Sequence, residues 1–121
     1  MPSETMNSST ERRRFARYSL YLPFELQLEQ KAWAHTLTLN LGLGGVKIRS
    51  KVLSNLPVSS FALHLETEGN IFGKVKKIWH KKMEEFPVLY VLGFEFLEFQ
   101  KDGKEKLESF LNKVSLYWKN P

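Results

Sequence analysis

Arg12, Arg13, Arg14 and Arg17 set four guanidinium groups within six positions. A guanidinium is planar, permanently charged and fork-shaped. It can grip a phosphate through two hydrogen bonds, meet the O6 and N7 edge of guanine, or stack on a base. Arg13 and Arg17 are four apart, which shares a face on a helical turn and clasps from two sides on an irregular arm. A second cluster follows in the stretch Asn40-Leu41-Gly42-Leu43-Gly44-Gly45. Asn40 offers both a donor and an acceptor. The glycines allow positive φ and close approach of a ligand to the backbone. Taken singly, the first cluster is an ordinary solvated basic stretch and the second an ordinary strand-to-strand turn. No helix follows the glycines, so they are not a dinucleotide-binding fingerprint. In this order on one small domain, the two point to a pocket for an anionic, guanine-bearing ligand.

The elements that must position these groups follow from period-two patterning. Residues 1–10 carry no periodicity and are expected to be a disordered leader, followed by an arginine arm over 11–18. Leu20, Leu22, Phe24, Leu26 and Leu28 alternate as a half-buried strand, with Pro23 placing it on an edge or at a bulge near its start. A turn at Gln30 and Lys31 leads to a second alternation through Trp33, His35, Leu37, Leu39 and Leu41. Val46 and Ile48 oppose Lys47 and Arg49 in a third strand. Phe61, Leu63 and Leu65 mark a fourth, closed by a hairpin turn at Glu68-Gly69-Asn70. The fifth spans Ile71 to His80, with broken alternation near Ile78 that predicts a bulge. The sixth, Phe86 to Phe99, is apolar on both faces in part and is expected to be central and covered. Leu107, Phe110, Leu111, Val114 and Trp118 recur at helical spacing over 102–118, with Asp102 as N-cap. The expected architecture is all-β with one C-terminal helix: a six-stranded antiparallel barrel over 19–99, with the helix over one end.

Composition narrows the function classes. The 121 residues suffice for one domain, 11–121 after the leader, and 42% are hydrophobic, so a packed core is expected. A net charge of +5 favours an anionic partner. There is no cysteine, which excludes disulfides, thiolate catalysis and cysteine-ligated metals. The leader has no apolar signal region and no apolar run reaches membrane-spanning length, so a cytoplasmic location is expected. His35, His64 and His80 sit singly in strand patterns and are expected to be strand-face residues, with no metal. No nucleophile–base–acid motif stands out, so no enzyme is expected and no cofactor is called for. The lysines Lys74, Lys76, Lys77, Lys81 and Lys82 suit either phosphates or protection of a strand edge.

The chain resembles the PilZ domain family of bacterial cyclic di-GMP receptors. That family carries R-x-x-x-R in an N-terminal arm and then D/N-x-S-x-x-G at a strand turn. Arg13-Arg14-Phe15-Ala16-Arg17 matches the first pattern, and Asn40 to Gly45 matches the second except that Gly42 stands where the family has serine. The likeness extends through Ile78-Trp79, the run Leu92 to Phe96 and the closing helix. It implies that Arg13 and Arg17 hold phosphates and guanine edges, that Asn40 bonds a guanine, and that Gly45 keeps the turn open. Arg12 and Arg14 add charge, and Trp79 lies where similar proteins often carry an aromatic near a guanine, although a core tryptophan fits it equally. The lost hydroxyl at Gly42 is worth about 0.5–1.5 kcal/mol, up to roughly tenfold in affinity. The resemblance therefore implies a cyclic di-GMP receptor whose arm orders on binding and signals to a downstream protein, as monomer or weak dimer. Two rivals are a nucleotide-independent adaptor of the same fold and, less favoured, a general nucleic-acid binder.

Overall fold

The structure is a computed structural model and describes residues 16–118. The leader and Arg12, Arg13 and Arg14 lie outside the described residues, as does the side chain of Trp118. The elements in order are β1 (Arg17–Tyr18), β2 (Pro23–Gln27), a 3-10 turn (Glu29–Lys31), β3 (Trp33–Gly42), β4 (Gly45–Ser50), β5 (Val58–Leu65), β6 (Gly69–Glu85), β7 (Val88–Phe99) and α1 (Gly103–Trp118). The strands pair in the order β1-β3-β2-β5-β6-β7-β4, and β4 pairs back to β3. Strands β2 to β7 thus close a six-stranded antiparallel barrel, as the sequence predicts. The two-residue β1 is an addition, laid antiparallel on the end of β3.

The barrel closes over an aromatic and aliphatic interior. Phe24 stacks on Phe61 with ring centroids 5.4 Å apart, and Phe61 meets Phe96 at 5.3 Å. Leu41, Val46, Ile48, Leu63, Val75 and Leu92 are fully buried around them. Leu107 and Leu111 of α1 join the same core, so the helix covers the barrel's end by burying its apolar stripe. Gly103 brings the start of α1 down onto Ile71 and Phe99. Asp102 stands just before the helix: its carbonyl accepts from the Lys106 amide at 3.0 Å, while its carboxylate pairs with the Lys106 ammonium at 3.6 Å.

Several local expectations are corrected. The first barrel strand begins at Pro23, its first residue, which needs no sheet edge. Leu20 and Leu22 run beside β3 outside the ladder; the Leu22 amide donates to Thr38 Oγ1 at 2.9 Å, and the Thr38 amide donates to the Leu22 carbonyl at 2.9 Å. The alternation in β3 is present with its phase reversed. Ala34, Thr36 and Thr38 point inward, and Trp33, His35 and Leu37 point out. The Thr36 hydroxyl donates to the Phe24 carbonyl at 2.6 Å, so the inward threonines are satisfied. A register shift between Thr38 and Asn40 then returns Leu41 to the core. The predicted bulge in β6 is found between Lys77 and Trp79, but β6 runs on to Glu85 and the turn falls at Phe86-Pro87. The β5–β6 turn is Glu66 to Glu68, with Leu65 already paired to Gly69.

Candidate functional site

Arg17, the member of the arginine cluster among the described residues, meets the glycine turn through β1. Arg17 pairs with Gly42 and Tyr18 with Leu41. A Cβ on Gly42 would stand 2.6 Å from the Ala16 carbonyl oxygen, so the backbone entering β1 occupies the space a side chain would take. A Cβ on Gly45 would stand 3.1 Å from Arg17 Nη2 and 2.5 Å from the Phe94 carbonyl oxygen. The exposed Arg17 guanidinium therefore reaches across the turn to β4. The expected role of the glycines changes accordingly. Gly42, Gly44 and Gly45 do not adopt positive φ; among the described glycines Gly69 does, at 89°. Gly42 and Gly45 serve close approach.

Strand register extends this site across the barrel's outer wall. Asn40 of β3 pairs with Lys47 of β4, Lys47 with Gly93 of β7, and Gly93 with Trp79 of β6. The buried neighbours Leu41, Val46, Ile48, Leu92 and Phe94 fix the inward phase, so these four residues share the outer face. Three interstrand spacings put the row at roughly 14 Å. The indole of Trp79 lies where a Gly93 side chain would be: a Cβ there would meet Nε1 at 2.4 Å and Cε2 at 2.5 Å. Trp79 is 44% exposed. It is thus not a core residue; it is a ring laid against bare backbone. At the other end, Asn40 Oδ1 is buried without a hydrogen-bond partner. A buried acceptor left unpaired is costly and marks a place where a donor is wanted.

The charges around the row are mostly positive. Arg49 pairs across to Val91 and Val91 to Lys81, one row away. Glu95, paired with Gly45 and Lys76, and Glu84, paired with Leu89, are carboxylates on this face. Among the described residues no ion pair engages Arg17, Lys47 or Arg49, so their charge is available to an anion. Sequence reasoning missed Gly93, whose signal is a glycine in the middle of a strand.

On the opposite side of β1 lies a cavity of about 420 Å³. Ala16, Tyr18, Leu43 and Leu111 form part of its lining, with Glu108, Asn112 and Ser115 of α1. No residue pattern announces it, because it needs the helix and the turn together.

The other expected groups are elsewhere. His35 Nδ1 and His64 Nε2 both approach Glu25 Oε2, at 3.3 and 3.2 Å, and His64 Nδ1 meets Asn70 Oδ1 at 2.7 Å. Two histidines read as solitary therefore share one carboxylate on β2. Among the described residues no cluster of histidine and acid side chains could hold a metal. Lys77 Nζ donates to the Ser54 carbonyl at 2.8 Å, which gives that lysine a structural partner. No helix among the described residues is long and apolar enough to cross a membrane.

Comparison with known proteins bears on the family and the fold. The family described as "PilZ domain" matches residues 11–113. Similar solved structures include the Bacillus subtilis inhibitor of motility MotI/DgrA, at 17% identity, with 87% of this chain and 52% of that one covered and a TM-score of 0.70. The PilZ domain of YcgR from Escherichia coli, solved with c-di-GMP, gives 15% identity, coverage of 91% and 99%, and a TM-score of 0.67. MrkH from K. pneumonia, solved as a c-di-GMP complex, gives 16%, coverage of 89% and 53%, and 0.71. At such identities the likeness is one of fold. This chain spans about half the length of the MotI/DgrA and MrkH chains. Among curated proteins no match is found.

Proposed function

This chain belongs to the PilZ domain family, and from that premise we propose that it is a non-enzymatic receptor for cyclic di-GMP. The observation that carries the reading is the outer-wall row from Asn40 through Lys47 and Gly93 to Trp79, with Arg17 over Gly45 beside it. Each part has a counterpart in the ligand. The unpaired Asn40 Oδ1 accepts from a guanine N–H. The exposed face of the Trp79 ring offers a stacking surface for a base. Arg17 and Lys47 balance phosphate charge. Arg12, Arg13 and Arg14 add to the arm that closes over the dinucleotide, and the ordered arm is the surface a downstream protein reads. YcgR and MrkH, which share this fold, were solved with c-di-GMP.

Calorimetric titration with cyclic di-GMP at moderate salt tests the reading, and binding in the micromolar range or tighter is expected. Arg13→Ala combined with Arg17→Ala is expected to abolish the heat while leaving Tm nearly unchanged. A double variant that binds like wild type would place the site elsewhere.

A second reading, a nucleotide-independent adaptor of the same fold, is favoured by one observation. The backbone at Ala16 fills the place of a side chain on Gly42. The family's serine cannot stand there while β1 lies as it does, so an arm docked without ligand suits this chain. Absence of heat at high micromolar ligand would select the adaptor.

A further inference from the structure

The cavity between β1 and α1 has a divided lining. Leu111 is buried and Leu43 half-buried, whereas Glu108 and Asn112 are exposed. Apolar groups therefore lie deep and polar groups at the mouth. Glu108, Leu111 and Asn112 are three and four positions apart on α1, so one stripe of the helix supplies that wall. Glu108 is the charged residue of the lining. Among the described residues no ion pair engages it.

A carboxylate at the mouth repels anions, so this is no second site for a phosphate. The space suits an occupant with an apolar stem and a cationic, hydrogen-bond-donating head. An arginine side chain has that form. Its methylenes lie along apolar surface while its fork of N–H donors stays at the wetter rim.

The chain supplies one from next door. Ala16 and Tyr18 line the cavity, and Arg17 between them faces the outer wall, which is the alternation of an extended strand. Carried back along the sequence, the same alternation assigns position 14 to the cavity side and positions 13 and 15 to the wall. Arg13 then shares the wall with Arg17, and Arg14 turns toward α1. Two residues of extended chain advance about 7 Å from Ala16, a distance that an arginine side chain spans. Arg12 has the same parity but starts twice as far out.

We propose that Arg14 seats its side chain in this cavity and pairs with Glu108, anchoring the arginine arm to α1. Its role differs from that of Arg13 and Arg17. It touches no ligand; it positions the arm that carries them. An arm held in place before the ligand arrives loses less freedom on binding. The effect on affinity rests on the cyclic di-GMP reading, and the contact itself does not.

Amide hydrogen exchange across Ala16 to Tyr18, in the whole chain without ligand, tests the contact. R14E sets carboxylate against carboxylate and is expected to speed that exchange by a few-fold. R14E with E108R restores the pair with its signs reversed and should bring exchange back toward wild type. E105R is the control, because Glu105 is an exposed glutamate in the first turn of the same helix, outside the cavity lining. R14E with E105R restores the same net charge and should leave exchange fast. Calorimetry then reads the consequence. R14E should weaken cyclic di-GMP binding by several-fold, and E108R should recover it where E105R does not. The contact is overturned if R14E exchanges like wild type, if E108R brings no recovery, or if E105R recovers it equally. Recovery of exchange without recovery of binding overturns the anchoring role. If wild type binds no cyclic di-GMP, the receptor reading falls, and the exchange measurements still decide the contact.

Discussion

Asn40 and Trp79 hold the two ends of the outer-wall row, and both make sharp predictions. Asn40 Oδ1 is buried and unpaired, so truncating it removes an uncompensated polar group. Asn40→Ala should leave stability within about 0.5 kcal/mol of wild type in urea unfolding. The same change should cost about 0.5–1.5 kcal/mol of cyclic di-GMP binding by calorimetry, because the wanted donor loses its acceptor. Gly93→Ala acts at the other end. Its Cβ would meet the Trp79 ring at 2.4 Å, so the indole must lift from the wall. A loss of about 1–3 kcal/mol in stability is expected, with weaker ligand binding. Adding Trp79→Ala should recover much of the stability loss, since the clash is then gone, while binding stays weak. Of these residues, Asn40 and Trp79 could be picked from their place in a known pattern. Gly93 could not, because only the register of β6 against β7 sets it beneath the tryptophan.

β3 and β6 show how far strand patterning reaches. In β6 the broken alternation near Ile78 gives away its bulge before any coordinates. In β3 the alternation is flawless and its phase is wrong, because a residue slipped in at Leu39 leaves no mark in the periodicity. A one-residue slip turns every preceding side chain over, so Trp33 and Leu37 go out and two threonines come in. The outer-wall row inherits this difficulty: Asn40 reaches Trp79 only after the shifts in both strands are counted. The tether of α1 belongs to the same scale. Lys113 of the helix meets Glu68 of the β5–β6 turn at 2.7 Å, with Ser109 at 3.4 Å and Thr67 also bonded to that carboxylate. The Lys113 ammonium, followed by the Thr67 hydroxyl, holds the Glu68 carboxyl below its ordinary 4.5. A carboxyl depressed in the folded state contributes stability that is present above its unfolded pKa and lost as pH falls through the folded one. Wild type should therefore lose stability as pH drops below 4.5. Lys113→Ala should flatten that acid limb, as read by melting temperature against pH.

For the molecule as a whole, the barrel was legible because six runs of strand patterning at hairpin spacing have few ways to hide their edges, and a closing helix with one apolar stripe has one core to join. The cavity under α1 and the reach of β6 to Glu85 were not legible, since both depend on how long each pairing lasts. Binding of a doubly charged dinucleotide at the outer wall should stabilise the entire fold. At a ligand concentration a hundredfold above Kd the gain is about 2.7 kcal/mol. It should appear as a rise in Tm that shrinks with added salt and is lost in the Arg17→Ala variant. The two residues of β1 tie that wall to the interior. Alternate residues of a strand point to opposite sides, so Arg17 attends the outer wall while its neighbours Ala16 and Tyr18 line the chamber beneath the helix. The guanidinium on the outside and the tyrosine beside the helix therefore hang from the same two residues of backbone.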